Sequence, residues 1–190
     1  MKGVYVFLAE GFEEIEALAT VDVLRRGGID VKTVSIVKER TVTGAHGIPV
    51  TADLNRKEFN RLVSQGAGPE DVMIFPGGMP GTRNLAMDFD LMELMTDHYE
   101  AGGVVAAICA APGLVVSQLP TLEGKKFTCY TGFEEAPIDK GGIHTGEPAV
   151  TDGNLITGRG PGCAIRFALE IVRKLKGAKV ADEVKDGMLV

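Results

Sequence analysis

Cys109 follows an apolar run, Val104–Ile108, and stands three residues before Pro112, which suits the first turn of a helix. A thiol at such a strand-to-helix turn would meet unpaired N–H groups and the positive end of a helix, both of which favour thiolate. Ala107, Ala110 and Ala111 are small enough to permit the sharp turn that presents a nucleophile. The chemistry would be attack on an electron-poor carbon, or oxidation of the sulfur itself. A buried structural cysteine fits the same apolar surroundings, and the sequence leaves both readings open. Cys129, in a short strand at 126–130, and Cys163, after Gly162 near a helix start, have weaker claims.

Glu16 is the second candidate. At about 100° per residue, Glu14, Asp22 and Arg25 fall on one side of a helix, read as its solvated face, and Glu16 points away beside Ala19, Thr20 and Val23. A carboxyl on a semi-apolar face is neutralised or paired, and with a raised pKa it could donate a hydrogen bond to a thiolate or act as acid and base. A glutamate favoured by the helix dipole in the first turn is the plainer alternative. Gly77 and Gly78 could turn backbone N–H groups toward an oxyanion, or could simply form a strand-to-loop turn. The three histidines are His46, His98 and His144, none beside Cys109 in sequence. His98 sits in a polar stretch and reads as solvated. His144 lies in a loop that could return to the site, so a Cys–His pair stays open.

The elements that must position these groups alternate. Val4–Leu8 is a buried strand, residues 13–26 a helix stopped by Gly27-Gly28, and 31–37 a second strand. Residues 41–51 suggest a hairpin and 56–64 a weak helix. A buried strand at 71–75 runs into Pro76-Gly77-Gly78, a helix follows at 91–100, and Val104–Ile108 is the strand that ends at Cys109. A helix from Pro112 to about Gln118, several short strands to Thr157 and a long amphipathic helix at 163–175 complete the chain. Such alternation argues for an α/β fold with a mainly parallel sheet covered on both faces, whose ligands bind beyond the carboxyl ends of the strands. With no repeat or linker, residues 1–190 read as a single domain.

Composition narrows the partners. Of 190 residues, 45% are hydrophobic and 24% charged, the balance of a soluble globular chain, and the net charge is −6. An acidic chain whose basic residues alternate with acids, as in Lys38-Glu39-Arg40, disfavours nucleic acid and offers no local anion patch. Three cysteines suit neither a disulfide framework nor a zinc site, so no metal is expected and a reducing cytoplasm fits. The apolar run near the N-terminus is too short for a signal core or a membrane span.

Ala9-Glu10-Gly11-Phe12-Glu13-Glu14-Ile15-Glu16, Phe75-Pro76-Gly77-Gly78, Ala106-Ala107-Ile108-Cys109-Ala110-Ala111-Pro112 and Gly158-Arg159-Gly160-Pro161-Gly162 together resemble the ThiJ/PfpI superfamily. The resemblance is nearest to the branch of the parkinsonism-associated protein and its bacterial ThiJ/YajL-like relatives, and it runs through nearly the whole chain. It implies a flavodoxin-like three-layer sandwich, a strand-Cys-helix nucleophile elbow, a homodimer and no cofactor. It places Cys109 on the oxidation-prone nucleophile, Glu16 on the protonated glutamate that hydrogen-bonds it, and Gly77, Gly78 and Ala110 on backbone donors of an oxyanion pocket. Two pocket positions depart from the branch: Tyr130 stands where it has a histidine, and His46 where it has an arginine. Peptidase members carry histidine directly after the cysteine, where this chain has Ala110. His144-Thr145-Gly146-Glu147 only loosely resembles the His-x-Glu pair of glutamine amidotransferases, and the spacing is wrong.

The resemblance implies a cysteine-dependent enzyme acting on small reactive carbonyls, as a glyoxalase or deglycase, with a role in oxidative stress. That enzyme would be a glyoxalase III-like lyase or a hydrolase with a cysteine nucleophile; a redox sensor or chaperone is the alternative, and a PfpI-type cysteine protease is disfavoured by Ala110.

Overall fold

The structure, a computed structural model, describes residues 1–63 and 66–190. The first half of the chain forms β1 (Val4–Leu8), α1 (Glu14–Arg26), β2 (Val31–Ser35), β3 (Thr41–Thr43), β4 (Pro49–Thr51), α2 (Arg56–Leu62), β5 (Val72–Phe75), α3 (Gly81–Ala86) and α4 (Phe89–Glu100). Then come β6 (Val104–Ile108), α5 (Ala111–Leu114), β7 (Lys126–Phe127), α6 (Glu135–Asp139), β8 (Ile143–His144), β9 (Ala149–Asp152), β10 (Leu155–Gly158), α7 (Ala164–Lys176) and α8 (Ala178–Gly187).

Six strands form the central sheet in the order β2-β1-β5-β6-β10-β9, and only β9 runs antiparallel to its neighbour. The first five repeat the doubly wound order in which strand numbering reverses at the centre, so a crevice opens at the carboxyl ends of β1 and β5. Alternation along each strand builds two cores. Val4, Val6, Leu8, Val72, Ile74, Val104, Ala106 and Ile108 face α1, α7 and α8. Tyr5, Phe7, Met73, Phe75, Val105 and Ala107 face α2, α4 and α5, with Phe59 packed edge-on at 5.2 Å from Phe7. Strands buried on both faces must be apolar at every position, which is why VYVFL and VVAAI are unbroken hydrophobic runs. This is the three-layer α/β sandwich with a mainly parallel sheet.

Several expected boundaries move. The segment expected as a helix from Pro112 to Gln118 is instead the four-residue α5 followed by a 3-10 turn at Val116–Gln118, since Gly113 and two β-branched residues weaken a continuous helix. The helix expected at 56–64 ends at Leu62, and Ser64 lies outside the described residues. The strand expected at 126–130 is two residues long, so Cys129 lies beyond it. His98, expected to be solvated, is buried, with Nε2 3.0 Å from the Val104 carbonyl. Among the described residues, no helix is long and apolar enough to cross a membrane.

Candidate active site

Three segments leaving the carboxyl ends of neighbouring strands β1, β5 and β6 meet at one point. After β1 the chain turns into α1, whose first turn is held by Glu13: its Oε2 accepts the N–H of Glu16 at 2.7 Å. That cap orients Glu16 inward, where it is wholly buried. After β5, Gly77 donates its N–H to Glu16 Oε2 at 2.7 Å. After β6, Cys109 adopts φ +64°, a left-handed conformation that a side-chain-bearing residue holds only under tertiary constraint. Its backbone is pinned on both sides: its N–H is donated to Gly158 O at 2.9 Å and its carbonyl accepts the Tyr130 N–H at 2.8 Å. The sharp turn expected at Cys109 is therefore present as backbone geometry.

Contact between the two side chains is enforced by what Gly77 lacks. A methyl group on its Cα would lie 2.5 Å from Glu16 Oε2, 2.6 Å from Cys109 Cβ and 2.9 Å from Cys109 Sγ. Backbone N–H groups of Ala110 and Gly78 face the sulfur and pull its pKa down. Gly78, at φ +89°, approaches the Glu13 backbone too closely for any side chain. One expected role changes: Gly77 spends its N–H on Glu16, so the donors turned to the sulfur are those of Gly78 and Ala110.

Electrostatically the pair holds one proton between two acids. Burial pushes Glu16 up to about 7 against the hydrogen bonds it makes with Cys109 and Gly77, and Glu13 raises it further. Burial, then the charge of Glu16 and the hydrogen bond with it, push Cys109 up to about 12. The thiol is thus opposed mainly by desolvation and by an ionised neighbour, and the four-residue α5 adds little dipole to help it. Glu16 Oε1 is buried with no hydrogen-bond partner among the described residues. A proton on Glu16 removes the repulsion and leaves no charge on its unpartnered oxygen, while the desolvation cost of the sulfur remains. The arrangement can therefore pass the thiol proton to the Glu16 carboxylate, setting an anionic sulfur beside a carboxylic acid and two N–H donors.

The other expected residues fall elsewhere. His46 lies in the β3–β4 turn, where its N–H and its Nδ1 each sit 2.7 Å from a carboxylate oxygen of Glu14. Glu14, expected on the solvated face, is buried by this tie, and His46 holds its carboxyl below the usual range although burial works the other way. Donor atoms of Glu13, Glu14 and His46 lie within 4.8 Å of one another, but these hydrogen bonds account for the cluster without an ion. His144 is exposed in β8, its ring 5.3 Å from that of Phe127. Among the described residues no histidine hydrogen-bonds Cys109, so the Cys–His pair left open by the sequence is not formed. Cys129 is buried, which pushes its thiol up to about 12. Half-exposed Tyr130 lines a cavity of about 370 Å³ with Arg159 and Cys163, and its backbone bond to Cys109 puts that cavity beside the elbow. Sequence reasoning missed Glu13, whose signal was its place three residues before Glu16, the spacing of a helix cap.

Residues 2–174 match the DJ-1/PfpI family. Protein dj-1beta of Drosophila melanogaster is 33% identical over 189 residues, covering all of this chain and 97% of that one. Its crystal structure superposes with a TM-score of 0.88 at 33% identity, over 100% of this chain and 98% of that one. Protein DJ-1 homolog A of Arabidopsis thaliana is 34% identical over 189 residues; the whole of this chain spans about half of that relative, 47%. A Caenorhabditis elegans protein named glutathione-independent glyoxalase DJR-1.2 is 33% identical over 172 residues, 88% of this chain and 85% of that protein.

Proposed function

This chain belongs to the DJ-1/PfpI family, and we propose that it converts small reactive dicarbonyls such as methylglyoxal into hydroxy acids, with Cys109 as nucleophile and Glu16 as proton carrier. The observation that carries the reading is the elbow itself: a sulfur at a φ +64° turn that meets the wholly buried Glu16 carboxyl across the space Gly77 leaves open.

The Cys109 thiolate adds to the aldehyde carbon, forming a C–S bond, and the resulting alkoxide takes the Glu16 proton to give a hemithioacetal. Glu16, now a carboxylate, removes the hydrogen from that carbon, and the electron pair moves to the neighbouring ketone as an enediol. Return of the proton to the second carbon leaves a thioester, and water cleaves it, releasing lactate and the thiol. Methylglyoxal and one water thus give lactate, with no oxidant and no cofactor. A carboxyl near 7 is suited to give and take a proton in this way. The Gly78 and Ala110 N–H groups are placed to hold the transient oxyanion.

Lactate formation from methylglyoxal without glutathione tests the reading. The wild-type chain is expected to turn over, and Cys109→Ser to lose activity; an equally active Cys109→Ser variant sinks it. The same donors favour a second reading. Two equivalents of peroxide would convert the thiolate to a sulfinate and release two waters, the anion being held by Gly78, Ala110 and Glu16. Mass spectrometry that finds the oxygens on Cys129 or Cys163, with Cys109 reduced, rejects it. A peptidase role lacks support, because Ala110 follows the cysteine and no imidazole partners it among the described residues. A homodimer is part of the proposal. Ile15 on α1 is 58% exposed and Ile48 on the hairpin tied to it 52%, apolar surface that a second copy would cover; sedimentation of the free chain as a monomer rejects it.

A further inference from the structure

On the face of the sheet opposite α1, a trough of about 540 Å³ runs along α2. Its floor is Ile36 and Val37, just past the end of β2, and its rim carries Lys38, Lys57 and Arg61. Lys57 and Arg61 are one helical turn apart and share a face. Among the described residues none of these three cations forms an ion pair. The nearby cations are already matched. Arg56 grips Asp88 through two nitrogens, at 3.0 and 2.8 Å, and Arg40 grips Glu58. Asp88 is the N-cap of α4, so the Arg56 fork fixes the wall of the trough to a long helix. Glu39, the remaining acid of the turn, does not line it.

The sequence suggested no anion patch because Lys38-Glu39-Arg40 alternates in sign. Folding sorts those charges: Glu58 takes Arg40 out, and α2 brings two more cations to Lys38. Three cations that form no ion pair among the described residues, with Glu58 near Arg61 but gripped by Arg40, surround an apolar floor on a chain of net charge −6 and make a local surface of opposite sign to the molecule.

Its form decides what fits. The edge of β2 is closed to an added strand, because Ser35 N–H bonds the Leu54 carbonyl at 2.9 Å, Leu54 N–H that of Thr33 at 3.0 Å and Arg56 N–H that of Val37 at 3.2 Å. Recognition must therefore run through side chains. A small anion needs enclosure and fixed donors, whereas this trough is open and its cations sit on long exposed side chains. Val37, 38% exposed, asks for an apolar group above it. We infer that the trough docks an acidic peptide segment of a partner protein, its carboxylates meeting Lys38, Lys57 and Arg61 and an apolar side chain resting on Ile36 and Val37.

Fluorescence anisotropy of a labelled Glu-Glu-Leu-Glu-Glu-Leu-Glu-Glu peptide with the full chain at low ionic strength tests this. Saturable binding is expected, weakened by salt. The Lys57→Glu, Arg61→Glu double variant should lose about tenfold or more in affinity. Lys174→Glu with Lys176→Glu, the same change in charge on exposed positions of α7, should lose little. Val37→Ser should reduce the leucine peptide to the affinity of an all-glutamate peptide. The inference is overturned by any of three results: equal affinity of the two double variants, equal binding of the all-glutamate peptide to the wild type, or tighter binding of a single-stranded oligonucleotide than of the leucine peptide.

Discussion

Gly77 donates its backbone N–H to Glu16 Oε2 across 61 positions of sequence, and the hydrogen on its Cα occupies the space where Glu16 and Cys109 converge. Its φ is not left-handed, so the need for glycine here is one of room. Gly77→Ala should therefore cost about 1–3 kcal/mol of stability by overpacking. It should also cost about a hundredfold in turnover by moving the reacting groups apart. Urea melts with lactate assays check both, and an alanine variant with wild-type turnover would contradict the crowding.

The thiol and the carboxyl should titrate as a unit. Burial, the Glu16 charge and the hydrogen bond with it raise the thiol, while the bond with Cys109 lowers the carboxyl, so Glu16 gives up its proton near 7 and Cys109 near 12. Alkylation of Cys109 by iodoacetamide should stay low through the first value and climb only as pH approaches the second. Glu16→Gln should move that climb downward, because it removes the charge that raises the thiol, and Glu16→Ala, which removes the hydrogen bond as well, should do the same. An alkylation profile unchanged in both variants would uncouple the two residues.

Glu16 also makes stability depend on pH in an unusual direction. Its ordinary value is 4.5 and its value in the fold is about 7. Between these the folded chain keeps a proton that the unfolded chain has lost, so rising pH favours unfolding. The loss approaches about 3 kcal/mol once both states are ionised. Denaturant curves across that window should show Glu16→Gln losing less stability than wild type as pH rises; parallel curves for the two proteins would place the proton elsewhere.

The His46–Glu14 tie acts in the same direction at higher pH. Glu14 raises the His46 imidazole above its ordinary 6.5. The tie's contribution is full below that value and fades as pH climbs through the raised one. An NMR titration should place the His46 midpoint above 6.5 in the wild type and return it to the ordinary value in Glu14→Gln. A wild-type midpoint at or below 6.5 would show that the tie does not hold in solution.

Much of the architecture could be read before any coordinates, because strands buried on both faces must be continuously apolar, and β1, β5 and β6 announce themselves. Cys109 and Glu16 were candidates on local grounds, one ending such a strand and the other pointing to the apolar side of α1, but those grounds left plainer readings open and the family resemblance singled the two out. What local pattern could not carry was pairing over distance. Glu14 looked solvated until the hairpin brought His46 onto it, and His98 looked polar until the Val104 carbonyl met it inside the core. Gly77 looked like an oxyanion donor because sequence does not show which acceptor an N–H has already found. The same limit hid the trough, whose cations come from two segments.

The three groups of the site leave three strands that lie side by side, β1, β5 and β6, in register. Adjacent strands keep a fixed spacing of about 4.8 Å, so the sheet acts as a ruler for the reacting atoms. Changing the gap between sulfur and carboxyl would require re-registering the core of the molecule. The segment carrying Tyr130 lies outside these three strands, and its cavity stands beside the elbow. New substrates should therefore be sought by redesigning that segment, with the elbow and its acid kept as a fixed cartridge.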